Sequence, residues 1–253
     1  SSQAADPTPA WMPVVKTREE ECQWRTLWVY EVETQNLRQL PTPDYNVWEA
    51  TWCGNQAIAA VTSPEPGEAA WYTATLDWID AVSGAHRSLY QPQTQLGCPV
   101  ANPTGSTLAV LESLCSDRGI VAGKLILIDT QTCIVECIAT DEIDISCARW
   151  QSNTQLCVVG QRGFETVVGL IDTQKRAYTT TWADQVITGT GLYPLITPLW
   201  PSDHQYPAAG NCLMVSEGFY QAPEIVKIGA DGYSSIVSFD YGYRELADKL
   251  INE

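Results

Sequence analysis

The sequence predicts an all-β chain assembled from copies of one unit about fifty residues long. The segments PAWMP, ATWCGNQAIAAV, CPVANPTGSTLAVL, CARWQSNTQLCVVG and PLWPSDHQ…GNCLMVSEG share a plan: an apolar or aromatic residue, a short polar turn, then a hydrophobic strand. Trp11, Trp52, Ala101, Trp150 and Trp200 hold the equivalent place, at separations of 41, 49, 49 and 50 residues. Each copy runs on through a strand that ends at an acidic turn and a further strand after it. Four antiparallel strands make a blade, and blades stacked around an axis make a β-propeller.

Taken in order along the unit, the landmark tryptophan closes the first strand. A lone blade exposes both faces, so each must cover its neighbour, and the landmark is expected to be the packing device. Trp52, Trp150 and Trp200 are therefore expected in the core, while Trp28, Trp71, Trp78 and Trp182 lie in strands or at their edges, where either face is open to them. The third strand ends in LWVYEVETQ, LDWIDAVSG, LILIDTQT, VVGLIDTQ and, more loosely, EIVKIGADG. Glu33, Asp80, Asp129 and Asp172 sit at its end, where a short carboxylate accepts bonds from backbone N–H groups two residues on, so these acids read as turn-formers. HRSLYQ, CIVECIAT, RAYTTTW and SSIVSF supply the fourth strand. The tail YRELADKLINE is polar with apolar residues at helical spacing. Residues 1–239 thus read as propeller repeats and residues 240–253 as a connecting segment. About five blades are visible. The first opens almost on its landmark, so the array reads either as a five-bladed ring or as a truncated part of a longer one.

Composition narrows the function. A formal charge of -16 repels phosphate backbones and anionic lipid, so neither nucleic acid nor a membrane is expected as a partner. No apolar run reaches the length of a membrane span, and SSQAADPTPAW has neither a basic nor an apolar leader region. The nine cysteines match no paired zinc spacing, and no cofactor or metal is expected. Cys133 and Cys137, or Cys147 and Cys157, are candidate pairs, but buried thiols in a reducing cytoplasm are the plainer expectation. His86 and His204 lie beside turns and read as solvated loop residues. No GxSxG elbow presents a nucleophilic serine, and no catalytic residue is expected in the chain. The first strands, EATW, CPVA, SCARW and PLITPLW, are mostly uncharged, which argues against a pair of channel carboxylates of the glycosidase kind.

The landmark resembles a degenerate W-S-P-D-G turn of the propellers in prolyl oligopeptidase family serine peptidases. YNVWEATWCGNQAIAAVTS, the loop SDRGIVAGKLILID and the closing SEGFYQAPEIVKIGADGYSSIVSF are similar to the acylaminoacyl-peptidase and dipeptidyl-aminopeptidase branch, from about Trp11 to Phe239. The resemblance implies a two-domain enzyme. An α/β-hydrolase domain, supplied in cis and missing from this chain, would cleave a peptide substrate, while the propeller gates access to it.

Blade geometry indicates where a functional surface would lie. Loops between second and third strands emerge on the face that carries the links between blades. They read SPEPGEAA, SLCSDRGIVAG, GQRGFET and SEGFYQAPE, with Arg118, Arg162 and Glu217 each next to glycine and Glu165 and Tyr220 nearby. Such a face could steer a peptide's charged ends or dock a partner domain. Asp117–Arg118 and Arg162–Glu165 read equally as local surface ion pairs. Two functions therefore stand: a non-catalytic, substrate-gating propeller of a serine peptidase, or a stand-alone scaffold that holds a protein partner on the same face.

Overall fold

The computed structural model describes residues 11, 23–41, 45–188, 194–198, 211–218, 220–229 and 231–251. A hairpin of β1 (Trp28–Glu31) and β2 (Asn36–Gln39) is followed by three antiparallel sheets of four strands, each in chain order. The first holds β3 (Asn46–Cys53), β4 (Ala57–Ser63), β5 (Thr75–Asp80) and β6 (His86–Tyr90). The second holds β7 (Gln95–Ala101), β8 (Thr107–Ser113), β9 (Lys124–Asp129) and β10 (Val135–Ile138). The third holds β11 (Asp144–Trp150), β12 (Gln155–Arg162), β13 (Glu165–Asp172) and β14 (Ala177–Asp184). In the last sheet β15 (Ile187–Thr188) and β16 (Thr197–Pro198) both pair with β17 (Cys212–Gly218), which leads to β18 (Gln221–Gly229) and β19 (Gly232–Ser238). Helix α1 (Tyr243–Ile251) packs on β18, where the tail's spacing placed a helix. No helix among the described residues is long and apolar enough to cross a membrane.

The second strand of each unit is the most apolar because it is covered on both faces. All seven residues of β4, AIAAVTS, are buried, and the central residues of β8 and β12 likewise. The first strands lie side by side, β7 against both β3 and β11. Each carries an irregularity at the same point: the pairing shifts between Val47 and Glu49, between Gly97 and Val100, and between Ile145 and Cys147. In the last sheet the corresponding strand is broken into β15 and β16.

The turns after the first strands clasp one another from sheet to sheet. Cys53 Sγ donates to Gly105 O at 3.2 Å, Asn102 Nδ2 to Asn153 O at 3.1 Å, and Gln151 Nε2 to Asn211 O at 3.1 Å. The acidic turns do what their composition predicts. Asp80 Oδ1 accepts from Val82 N and Ser83 N, Asp129 Oδ1 from Gln131 N and Thr132 N, and Asp172 Oδ1 from Gln174 N and Lys175 N. These hydrogen bonds hold all three carboxyls below their ordinary range. The first hairpin corrects one assignment: its strand-end acid is Glu31, which accepts from Thr34 Oγ1, and Glu33 lies inside the turn. That alignment makes β1 and β2 the third and fourth strands of their unit.

A second device repeats on the outer strands. Seven residues beyond the turn acid, Arg38 donates to Ala81 O and Arg87 to Thr130 O, each in the next sheet's acidic turn. The equivalent position in the following sheet is Glu136, and the polarity inverts, since Glu136 pairs with Arg176 at 3.1 Å.

The tryptophans divide. Trp150 is buried against the preceding sheet and donates to Val100 O at 3.1 Å. Trp52, expected in the core, is 54% exposed. The sheet before it offers only β1 and β2 among the described residues, so nothing described stands where Val100 stands for Trp150. Trp71 is fully buried, Trp78 lies under the Arg87 guanidinium, and Trp182 stacks on Tyr233 between the last two sheets. Trp200, like His204 and the stretch around Trp11, lies outside the described residues. The eight described cysteines are free, including both candidate pairs; in register, Cys147 faces Val159 and Cys157 faces Arg149.

Candidate functional site

The five residues marked on the loop face are not brought into one cluster. Arg162 Nη2 bonds Glu165 Oε2 at 3.1 Å across the β12–β13 turn, the local ion pair the sequence allowed. Beside it Phe164 is 95% exposed at the tip. Glu217, at the end of β17, is opposite Ile187, and Tyr220 is exposed in the turn to β18. The α1 helix reaches this turn, where Tyr243 Oη donates to Gly218 O at 3.1 Å.

Arg118 departs from the local reading. Its partner is not Asp117, whose Oδ1 instead accepts Gly119 N, but Glu68 in the loop of the preceding sheet, at 3.8 Å. The same two loops are joined by Tyr72 Oη donating to Ser116 O at 2.7 Å. Arg118 also lies over the Trp48 ring, 5.4 Å from its centroid, and Arg25 lies 4.6 Å from the same centroid. Trp48 is the extra residue of the β3 bulge. It is buried, and its Nε1 donates to Ser63 Oγ at 2.8 Å. The bulge thus sets an aromatic ring against two guanidinium groups at the loop end of the first strands.

One residue further on, Glu49 turns toward β7. Its Oε2 accepts the Cys98 N–H at 2.7 Å, the backbone of the β7 bulge. Gly97 permits this approach, because a Cβ there would stand 3.2 Å from Glu49 Oε1 and closer still to Val121. Burial raises the Glu49 carboxyl above its ordinary range, against the pull of the Cys98 N–H and Arg118. Burial, with Glu49 beside it, pushes the Cys98 thiol up to about 12, so it is a protonated, unreactive group. Ser146, the bulge residue of β11, donates to Pro194 O at 2.8 Å. The first-strand irregularities are therefore the points at which neighbouring sheets are joined.

Between β3, β7 and β11 the same irregularities leave a cavity of about 480 Å³, lined by Glu49, Thr51, Cys98, Val100, Arg149 and Leu195 among others. Glu49 is the one carboxylate in its wall, so a pair for acid–base work is not assembled there. No cluster of His, Cys, Asp and Glu suited to a metal occurs among the described residues. His86 is on β6 with its ring 4.5 Å from that of Tyr45, in a strand and not in a loop. The sequence undervalued this cavity. Glu49 stands in EATW and Arg149 in CARW, the first-strand motifs themselves, and their nearness to the landmark tryptophans was the available signal.

No family model and no curated protein matches the chain. Among solved structures it is similar to the oligogalacturonate lyase of Vibrio parahaemolyticus, with 13% identity and a TM-score of 0.60 over 88% of this chain and 64% of that one. It is similar to the β-propeller domain of the trilobed protease from Pyrococcus furiosus, with 12% identity and a TM-score of 0.52 over 77% and 58%. The fold is propeller-like. The acylaminoacyl peptidase of Pyrococcus horikoshii matches with 11% identity and a TM-score of 0.50 over 78% of this chain and 33% of that one. The chain spans less than two thirds of the length of each of these proteins, and at such identities the likeness concerns the fold. The sheets described above are its blades.

Proposed function

We propose that this chain is the non-catalytic, substrate-gating propeller of a serine peptidase acting on short peptides, of the prolyl oligopeptidase kind. The observation that carries the reading is a propeller-like fold without a nucleophile elbow, whose loop face is charged and interlocked from blade to blade. Arg118 ties the second and third units on that face, and Arg162, Glu165, Glu217 and Tyr220 border it, with Phe164 projecting. An α/β-hydrolase domain would rest there, with α1, already tied to this end of the last blade, as the connecting segment. In that arrangement the propeller admits short peptides and excludes folded ones. The free cysteines suit a reducing compartment such as the cytoplasm.

The test is genetic and enzymatic. The gene is sequenced through both ends of this segment, and the whole product is assayed on a dipeptidyl nitroanilide beside the isolated chain. A downstream GxSxG with later Asp and His, and hydrolysis by the whole product only, is the expected result. A stop codon at Glu253 with no hydrolase gene adjacent overturns it and leaves the scaffold reading, in which the same face holds a separate protein.

A further inference from the structure

The core between the last two blades holds Cys147, Cys157 and Cys212 among Met214 and aliphatic residues. Cys157 and Cys212 are fully buried, and their side chains share a hydrogen bond across the interface. Pairing register shows how they come to meet. Cys157 is opposite Leu170, two residues before the end of β13, as Ala59 is opposite Trp78 and Ala109 opposite Leu127. Cys212 is opposite Ile228, one residue before the end of β18, as Leu108 is opposite Ile128 and Leu156 opposite Ile171. The corresponding places at the two preceding interfaces therefore hold an alanine and a leucine, all four in the main core. An aliphatic pair fills those places twice, and the last interface uses two thiols instead.

A buried thiol packs as a small hydrophobe, so what sets this pair apart from alanine and leucine is its chemistry. We infer that Cys157 and Cys212 are an oxidation site, joined by hydrogen peroxide into a reversible disulfide that staples the sheet of β11–β14 to the last sheet. One thiol is oxidised to a sulfenic acid as the peroxide O–O bond breaks and one water leaves. The second sulfur then forms the S–S bond and expels the hydroxyl, which leaves with the thiol proton as a second water. At rest the pair is inert, because the neighbouring Cys212 thiol and burial push the Cys157 thiol well above its ordinary range. Entry is easiest at this interface, since among the described residues the inner edge of β17 is held only by the two-residue strands β15 and β16, and a weakly laddered edge opens first. Cys147 lies in the same core on β11, opposite Val159, and is the competing partner. The inference stands whether or not a hydrolase domain accompanies the propeller.

Peroxide treatment of the whole chain tests it. Remaining thiols are alkylated in urea, the unreduced digest is mapped by mass spectrometry, and melting is followed by tryptophan fluorescence before and after. The expected product carries a linked Cys157–Cys212 peptide, two hydrogens lighter than its parts, and melts roughly 5–10 °C higher. A dithiol reductant should restore the starting melt. Cys157→Ala combined with Cys212→Leu copies the pair of the preceding interfaces, and it should fold and show neither the link nor the shift. Should that double variant unfold, mapping and reduction of the native chain still decide. Cys157 and Cys212 left unlinked at a peroxide dose that oxidises the exposed Cys137, a link through Cys147 in place of either, or a linked chain that melts no higher would overturn the inference. A shift that persists in the double variant would do the same. None of these outcomes bears on whole-product hydrolysis, so the two readings fail separately.

Discussion

Gly105 concentrates the blade-to-blade clasp in one position, and its replacement by alanine measures that clasp. The residue has φ +72°, and a Cβ there would stand 2.4 Å from Gly54 N and 2.6 Å from Cys53 C. Both are main-chain atoms of the preceding blade's turn and cannot rotate away. The left-handed backbone alone costs an alanine about 1–2 kcal/mol. Forcing the turns apart adds about 1–3 kcal/mol, as overpacking does, and strains the bonds that Gly105 O accepts from Cys53 Sγ and Thr130 Oγ1. Gly105→Ala is thus expected to cost about 2–5 kcal/mol. Gly163 is the control, with φ +59° and nothing within 4 Å of a Cβ, so Gly163→Ala should cost only the first term. Urea unfolding followed by tryptophan fluorescence reads both, as midpoints at constant slope. In a chain of this length the Gly105 variant should melt roughly 10 °C lower. If it is no less stable than the Gly163 variant, the turns are not in load-sharing contact and the account of blade stacking is wrong.

The two landmark tryptophans should respond unequally. Trp150→Ala empties a buried site and loses the bond to Val100 O, for about 3–5 kcal/mol, whereas Trp52→Ala should stay within about 1 kcal/mol; urea midpoints compare them, and equal losses would refute the placement of Trp52. Glu112 predicts an acid limb. Burial works to raise its carboxyl, but the Tyr90 hydroxyl, the N–H groups of Gln93 and Thr94 and the Thr94 hydroxyl together hold it below its ordinary value of 4.5. A depressed folded pKa gives stability that is present above the unfolded value and lost as pH falls through the folded one. Glu112→Gln should accordingly flatten the fall in stability below pH 4.5, measured as urea midpoint against pH; an unchanged acid limb would refute it.

Much of the architecture was legible because its devices recur at a fixed period. The acidic turns needed only a short carboxylate at a strand end, and Asp80, Asp129 and Asp172 sit where that chemistry places them. In the first hairpin the turn acid lies two residues earlier than the pattern places it, because glutamate occurs at both Glu31 and Glu33 and only pairing register separates them. Trp52 departs from its expected burial for another reason: burial of a landmark depends on the preceding blade, and a residue's own unit does not reveal what covers it. The partner of Arg118 could not be read from the sequence. Local sequence offers Asp117, while the fold brings Glu68 from fifty residues upstream.

The candidate site was hardest to read because it arises where the strands break their own rule. A regular first strand would alternate, sending successive side chains to opposite faces of its sheet. The bulges instead shift the register at Trp48, at Cys98–Pro99 and at Ser146, which is how such features re-aim side chains. One consequence is cohesion, since Cys98 N–H and Ser146 Oγ both bond to a neighbouring blade. The other is space, since strands that leave their ladder open a cavity between them. Because one irregularity supplies both, a change that regularised β7 would be expected to close the cavity and loosen the blades together. Cavity and cohesion are coupled at this point of the fold, which is why Glu49 and Arg149 are better probed by amides of similar shape than by truncation.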